Sequence, residues 1–426
     1  MSYQLIDNVP VFGEPQQNAV DQIVNCQKDA EQVALMADHH LGYTVPIGGV
    51  IAYEGLISPS GVGYDIACGN KAVLLDADAA EVQREIKPIM DLINQSLSFG
   101  VGRKNQEDVD HALFYDDPAW QIDVAREVKD KARAQLGTVG SGNHYVDLFI
   151  DEQDRLWCGV HFGSRGLGHT LASHFMAAGG ARRGSDDPVL LRDDEQLGQE
   201  YIACMTLAGR YAYAGRDWVC NRVAELLGTT ILEEVHNHHN FAWREAHEGR
   251  ELWVVRKGAT PAFPGQRGFV GGSMGDISVI LEGVDSEASK VALYSTVHGA
   301  GRVMSRTAAT GRKRKRWACN NRDCDWLQPE GTHKPENGRC PRCAHPTLSK
   351  RWVQLSEGAV SHAMMMDWVN GRGVELRGAG VDESPHCYKR LPEVLDYHSD
   401  TIRILHTLTP IGVAMAAPTD FDPYKD

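Results

Sequence analysis

His298 begins the segment His298-Gly299-Ala300-Gly301-Arg302, and it is one of several histidines that stand beside glycine turns. Asp65-Ile66-Ala67-Cys68-Gly69 sets a carboxylate and a thiol three positions apart. Asn143-His144 follows Gly140-Ser141-Gly142, His161 starts HFGSRG, and His236, His238 and His239 crowd into VHNHHNF. Taken singly, each histidine fits a hydrogen-bonded core or surface position better than a ligand position. Five such segments, each at a strand–loop junction, point to a shared site. A mixed Cys, His and Asp set suits borderline divalent ions such as Mn²⁺ or Zn²⁺. One Asp and one Cys among several histidines allow two adjacent ions bridged by the thiolate. Strands that end in glycine loops also let backbone N–H groups approach phosphate closely. A neutral imidazole, finally, is a competent nucleophile near pH 7 without a separate base.

A second constellation is separate in composition. From about Gly311 to Trp352 the chain is hydrophilic and rich in Arg, Lys, Cys and Pro. Such a segment buries little core and needs another source of stability. Cys319, Cys324, Cys340 and Cys343 read C-x4-C-x15-C-x2-C, close to zinc-ribbon spacing, and four thiolates can close a tetrahedral structural Zn²⁺ site. The other reading is four unrelated reduced thiols. The basic run Arg312-Lys313-Arg314-Lys315-Arg316 leads into this segment. It reads equally as solvated surface or as a contact for RNA.

The elements that must position these groups are partly legible. Val82, Ile86, Ile89, Ile93 and Leu97 follow helical spacing, with Pro88 expected to kink or divide the helix. Asp117-Pro118 opens a second helix, running to about Leu136 and stopping at Gly137. HYVDLFI (144–150), LWCGVHF (156–162), LWVVRK (252–257), ISVIL (277–281) and VALYS (291–295) read as strands. The expected class is α+β: a mixed α/β body with central β-sheets flanked by helices and no internal repeat. Residues 1–310 and 353–426 form the main domain and residues 311–352 an inserted zinc ribbon.

With 42% hydrophobic and 23% charged residues, the composition is that of a globular protein. There is no apolar run of membrane-spanning length and no secretory signal in MSYQLIDNVPVFGEP, so a cytoplasmic, non-membrane location is expected. Six scattered cysteines in such a chain read as buried thiols rather than disulfides. A net charge of −14 argues against non-specific coating of nucleic acid, though not against a local basic groove.

Several segments together resemble one family. DHHLGYTVPIGGV, SPSGVGYDIACG, GSGNHYVDL, HFGSRGLGH, HHNF, RKGAT, GGSMGDIS, HGAGRVMSR and DESPHCYK occur in order from about residue 38, interrupted by the cysteine-rich segment. They resemble the RtcB family of GTP-dependent RNA ligases, which join RNA 2′,3′-cyclic phosphate or 3′-phosphate ends to 5′-hydroxyl ends. The resemblance implies an RtcB-like fold, two Mn²⁺ ions, GTP as co-substrate, RNA ends as substrate and an activating protein as a further partner. It implies that Asp65 and Cys68 bind metal with Cys68 bridging, and that His144 shares the ion of Asp65. His161 and His239 would hold the other ion, with His238 the alternative to His239. His298 would be the nucleophile that carries guanylate. Asn143, Asn240, Ser273, Gly299, Ala300 and Gly301 would contact the nucleotide. Asp147 stands where the family has Glu, and Ser278 and Tyr388 match positions near guanine and its ribose. Arg165, Arg302 and Arg306 would meet RNA phosphates bidentately.

Three departures stand out. The family's C-terminal strand ends in a Val-Lys-Gly-like sequence whose lysine reaches guanine, whereas here Gly412-Val413-Ala414 leads to Met415, and Lys425 lies in the polar tail. Gly271 replaces a proline, and Asp276 stands where Thr is usual, an added carboxylate near a triphosphate. The zinc ribbon enters soon after the His298 loop and is expected over one edge of the site, where it could select RNA ends. The changes spare the metal and His298 chemistry and suggest a divergent subgroup specialised in particular damaged RNAs. Two other readings compete: a dimetal phosphodiesterase or phosphatase that acts on RNA ends without GTP, and a non-catalytic RNA-binding protein built on the ribbon. Retention of His298 and of the whole ligand set argues against both.

Overall fold

The computed structural model describes residues 2–182, 184–329, 333–335 and 337–418. Among these residues, one sheet has six strands, in the order Tyr3–Ile6, Val9–Phe12, Gln32–His40, Ile47–Tyr53, Arg250–Lys257 and Asn240–His247. The other runs Ile231–His238, Gly69–Asp78, Arg155–Phe162, Tyr145–Asp151, Ile402–Met415, Ser278–Gly283 and Arg267–Val270, with the short Glu375–Arg377 strand parallel to Ile402–Met415. Strand Ile231–His238 of this second sheet runs almost directly into Asn240–His247 of the first. His239 stands at that crossing, where the two sheets meet.

Side-chain alternation explains how the second sheet is covered. In Gly69–Asp78, Ala72 and Leu74 pack with Phe149, Trp157 and Phe269, whereas Val73 and Leu75 pack with Met90, Ile93, Val219 and Val223. That period of two is what a strand buried on both faces requires. The helices on the second face are Ile86–Ser96 and the long Gln196–Leu226, whose Ala208, Gly209, Ala212 and Gly215 let it lie close to the body. The expected α+β class, with central sheets flanked by helices, is what the chain adopts.

Several expected elements take a modified form. The segment 82–97 is divided, but at Glu85, between helices Ala79–Arg84 and Ile86–Ser96. Pro88 lies in the first turn of the second helix, where its missing N–H has no helical partner to lose. After Asp117-Pro118 comes a 3₁₀ turn, Pro118–Gln121, and only then helix Asp123–Gln135, which stops short of Gly137 at φ +80°. VALYS is not a strand. Ser286 caps helix Glu287–Val291 by accepting from Ser289 N–H, Leu293 and Tyr294 turn the chain at φ 52° and 46°, and pairing begins at Ser295. A strong N-cap overrides the β-propensity of those residues.

The cysteine-rich segment forms its own hairpin, in which Lys313–Cys319 and Leu348–Gln354 pair antiparallel with each other. Both strands are rooted on helix Arg306–Thr310: Leu355 N–H bonds to Arg312 O at 2.7 Å, and Ala359 N–H to Ala308 O at 2.9 Å. Among the described residues no helix is long and apolar enough to cross a membrane. Lys425 lies outside the described residues.

Candidate active site

His298 and the strand Gln32–His40 build the first half of the site. Asp38 is wholly buried, and its Oδ2 accepts from His298 Nδ1 at 2.5 Å, from His298 N–H at 3.0 Å and from Gly299 N–H at 3.3 Å. Burial alone would push this carboxyl up, but the charge and hydrogen bonds of His298 outweigh it and hold the group below its ordinary value. An ionised Asp38 keeps the imidazole proton on Nδ1 and leaves the Nε2 lone pair for the cavity. Gly301 permits this approach: its φ is +76°, and a Cβ there would lie 2.1 Å from Asp38 O. Sequence reasoning does not single out Asp38, although it heads the segment DHHLGYTVPIGGV; its signal is an acid directly after the apolar run 33–37.

The second half is a set of ligand-type groups around one thiol. Cys68 Sγ lies 3.7 Å from His144 Nε2 and 3.5 Å from His161 Nε2, and His144 Nε2 lies 3.1 Å from Asp65 Oδ2. Two triads result, Asp65-Cys68-His144 and Cys68-His161-His239, each with its donor atoms within 4.8 Å of one another. Cys68 belongs to both. Val139 O lies 3.0 Å from His144 Nδ1, and Asn70 Oδ1 lies 2.5 Å from His161 Nδ1. Asn70 holds the His161 proton on Nδ1 and turns its Nε2 lone pair toward the thiol, while His144 Nδ1 lies between Val139 O and the Arg165 guanidinium at 3.1 Å, with Nε2 toward the thiol. Burial, then the neighbouring histidines, push the His161 and His239 imidazoles well below their usual value, so both are neutral donors. His239 Nδ1 is buried without a hydrogen-bond partner. Burial and the Asp65 carboxylate push the Cys68 thiol up, so a thiolate here calls for a cation beside it. The neutral imidazoles, the orphaned nitrogen and the shared sulfur together fit divalent metal.

His238, the alternative to His239, points elsewhere. Its Nδ1 meets Arg216 at 2.8 Å and its ring lies against Tyr213. Arg216 is a fully buried cation from the middle of helix Gln196–Leu226. It donates to Ala67 O at 3.0 Å and Phe162 O at 2.5 Å, the carbonyls that precede Cys68 and follow His161. Asn70 likewise binds His161 and donates to Phe269 O at 2.9 Å. Sequence reasoning finds neither residue: Asn70 directly follows the Asp65–Gly69 segment but acts on a histidine 91 positions away, and Arg216 offers only the clue of an arginine inside an apolar helix.

These groups line a cavity of about 280 Å³. Its walls include Asp65, Cys68, Asn143, His144, Asp147, His161, His239, Asn240, Ser273, Tyr388 and the whole segment from His298 to Arg302. Asn240 Oδ1 accepts from Gly258 N–H at 2.7 Å, which steadies the turn facing His298. Ser278 is not in the wall: it is buried, and its Oγ accepts from Gly272 N–H at 3.0 Å, pinning the loop that carries Ser273. Arg302 and Arg306 reach the wall with partners in place. Arg302 donates to Tyr388 Oη at 2.9 Å and Asp382 O at 2.8 Å, and Arg306 pairs with Asp382 and Glu383. Those two carboxylates, read only as part of DESPHCYK, neutralise cations expected to be open to phosphate. Arg165 faces an adjoining cavity of about 290 Å³ with Lys131 and His169, which shares Asp65, Asn143, His144 and Arg306 with the first.

The far end of the main cavity is apolar. Met415 and Val413 pair in register with Tyr145 and Asp147 and pack with Met274. Asp147 Oδ1, Tyr145 Oη and Ser273 Oγ are buried there without hydrogen-bond partners. Burial pushes the Asp147 carboxyl well up, against the opposing effect of the Ala414 N–H. Gly271 has a local reason: a Cβ would lie 2.0 Å from Tyr145 Oη, so the proline ring of the family pattern has no room. Asp276 turns away from the cavity, with Arg390 at 2.8 Å and Leu391 N–H at 3.3 Å, so it adds no charge to the wall.

In the hairpin, Cys319 Sγ lies 3.5 Å from Cys343 Sγ and Cys324 Sγ 3.8 Å from Cys340 Sγ, all four within 4.8 Å. A tetrahedron of sulfurs about 2.3 Å from zinc has edges of about 3.8 Å, so the four thiols fit that ion.

Comparison with known proteins agrees with this geometry. The family model described as tRNA-splicing ligase RtcB matches residues 19–124 and 117–325. The RNA-splicing ligase RtcB of Escherichia coli K12 is 30% identical over 355 residues, covering 72% of this chain and 85% of its own length. The tRNA-splicing ligase RtcB of Thermococcus kodakarensis is 33% identical, covering 65% of this chain and 73% of its own. That of Archaeoglobus fulgidus is 31% identical, with 75% and 83% covered. The chain therefore belongs to the RtcB family.

Proposed function

We propose that this protein is an RNA ligase that carries guanylate on His298 and joins 2′,3′-cyclic phosphate or 3′-phosphate ends to 5′-hydroxyl ends, in RNA repair or tRNA splicing. One observation carries the reading. A histidine whose Nδ1 is held by a buried carboxylate, Nε2 left available, shares a cavity with two triads of ligand-type groups. A phosphodiesterase needs the triads and has no use for the oriented imidazole.

The steps follow from these residues. His298 Nε2 attacks the α-phosphorus of GTP, forming an N–P bond as pyrophosphate leaves. Asp38 stabilises the positive imidazole that results. An oxygen of the RNA 3′-phosphate then takes the guanylate and restores the imidazole; a cyclic phosphate is first opened by hydrolysis. The 5′-hydroxyl attacks the activated phosphate, its proton passing to solvent, and GMP leaves. Asp65, Cys68 and His144 would hold one Mn²⁺ and Cys68, His161 and His239 the other, supplying positive charge to the phosphoryl oxygens.

Asn143, Asn240, Ser273, Gly299, Ala300, Gly301 and Tyr388 line the space offered to the nucleotide. Asp147 serves the base, with no cation at Met415 to meet guanine O6. Arg165, with Lys131, lines the adjoining cavity as the path for RNA phosphates, while Arg302 and Arg306 act with Asp382 and Glu383 at its junction. Residues 311–352 form an inserted module closed by Zn²⁺ on Cys319, Cys324, Cys340 and Cys343, within a catalytic body of residues 1–310 and 353–426. Ten unpaired cysteines suit the reducing cytoplasm.

The test is incubation with Mn²⁺ and α-labelled GTP, followed by denaturing electrophoresis. The reading requires a protein-bound label that is absent from His298→Ala. No adduct with any nucleotide, in protein that binds metal, would overturn it in favour of the dimetal phosphodiesterase.

A further inference from the structure

The hairpin that carries the four cysteines has a surface unlike the rest of the chain. Residues 311–352 contain eleven Lys and Arg against four Asp and Glu, in a protein of net charge −14. Antiparallel register sets Lys315 opposite Trp352 and Trp317 opposite Lys350. Because side chains alternate along a strand, these four share one face, with Lys313 and Gln354 at its end. The Lys315 ammonium lies 5.0 Å from the Trp352 ring centre, and Lys350 and Lys334 lie 5.3 and 5.6 Å from that of Trp317. Trp352 is 61% exposed, an unusual state for the largest apolar side chain. On the opposite face Arg316 is paired in register with Arg351.

An exposed indole, Trp352, beside the half-buried Trp317, both flanked by ammonium groups at strand spacing, matches one kind of ligand. In a single strand of RNA, unstacked bases are free to lie on an aromatic ring while the phosphates meet the lysines. An A-form duplex hides its base faces and offers an indole nothing to stack on. The hairpin is also close to the chemistry. Its strands rise from helix Arg306–Thr310, whose first residue lines the cavity. Five helical residues, the link Gly311-Arg312 and the strand as far as Lys315 amount to at most about 25 Å of path, the span of a few nucleotides.

We propose that the Lys–Trp face formed by Lys315, Trp317, Lys350 and Trp352 binds single-stranded RNA and seats the nucleotides adjoining the end that reacts at His298. The binding site itself stands on the hairpin; only the nature of the reacting end rests on the ligase reading.

Fluorescence anisotropy on the full chain, with a short labelled single-stranded RNA and a salt series, tests this. Trp352→Ala should weaken binding about 5-fold or more, and Trp352→Phe, which keeps a stacking face, should restore most of it. The double substitution Lys315→Ala with Lys350→Ala should lower the slope of log affinity against log salt by about 1.4, two phosphate contacts at about 0.7 each. Zinc content and GTP labelling of His298 should match the unaltered protein throughout. Binding by Trp352→Ala within about twofold of the unaltered protein, zinc retained, refutes the proposal, as does a duplex that competes as well as the single strand. If Trp352→Ala loses zinc, Trp352→Phe and the double lysine substitution decide the matter, and an unchanged salt slope then refutes it. Failure of the ligase reading registers separately, as absence of the His298 label in the unaltered protein.

Discussion

Asp38→Asn separates the orientation of His298 from its presence. In the unaltered chain a single carboxylate oxygen, Asp38 Oδ2, accepts three hydrogen bonds, the shortest at 2.5 Å from His298 Nδ1. An asparagine carbonyl in that place loses the charge, and its NH₂ group, if turned toward Nδ1, moves the imidazole proton to Nε2 and removes the nucleophilic lone pair. One charge-assisted hydrogen bond is worth about 1.5–3 kcal/mol, which sets a floor of roughly 10-fold on the rate of guanylylation. Loss of the reactive tautomer carries the effect toward about 10⁴-fold, the scale seen when a buried carboxylate that orients a catalytic histidine is made neutral. Single-turnover labelling with α-labelled GTP, at saturating nucleotide and Mn²⁺, measures the rate. GTP affinity should change little, because Asp38 touches the histidine and not the space offered to the nucleotide. The sign of the pH dependence is fixed as well. The folded-state pKa of Asp38 lies below its unfolded value, so its ionised carboxylate stabilises the fold above about pH 4, a contribution lost only as pH falls through the lower folded value. Acid within the working range therefore cannot mimic the substitution. A guanylylation rate within about threefold of the unaltered protein would refute the reasoning, because it would mean that His298 needs no orienting acid.

Three further outcomes follow from the geometry. Cys68→Ser removes the one donor common to both triads, so bound Mn²⁺ measured by elemental analysis should fall at both positions, not one; retention of a full single equivalent would contradict the bridging role. Arg216→Met leaves the buried Ala67 and Phe162 carbonyls without their donor and should cost about 3 kcal/mol in denaturant unfolding; a change under about 1 kcal/mol would show that those carbonyls find other partners. Met415→Lys places an ammonium near Asp147, whose Oδ1 has no hydrogen-bond partner, and should raise the preference for GTP over ATP in His298 labelling by about 10-fold, checked by competition between the two nucleotides; an unaltered preference would remove Met415 from the base site.

What the sequence disclosed and what it concealed divide along a physical line. Ligand-type residues beside glycine turns were readable because such turns constrain composition: Asp65, Cys68, His144, His161 and His298 all fall in that pattern and all line one cavity. Asp38, Asn70 and Arg216 were hidden because each acts across the fold, Asp38 on a residue 260 positions away, and no local spacing records such a contact. The choice between His238 and His239 was open for the same reason, since strand alternation sends adjacent residues to opposite faces and sequence cannot say which face is the site. Helix periodicity placed Ile86–Ser96 well, but β-propensity failed at VALYS, where the Ser286 cap and two positive φ angles decide the backbone. That Arg302 and Arg306 already have carboxylate partners was equally hidden, because Asp382 and Glu383 are distant from them in sequence.

The place of strand Ile402–Met415 has a consequence in time. It lies between Tyr145–Asp151 and Ser278–Gly283, joining the part of the sheet near His144 and His161 to the part that supports the Ser273 loop. A nascent chain emerging at about 5–20 residues per second makes Asp38 and His298 well before this strand is available. Until Met415 has left the ribosome, the two parts of the sheet lack the strand that joins them. A chain cut short before residue 402 would contain every metal-type ligand and the nucleophile, yet lack the strand that brings the halves of the cavity together. The site thus first becomes whole only after strand Ile402–Met415 has been made.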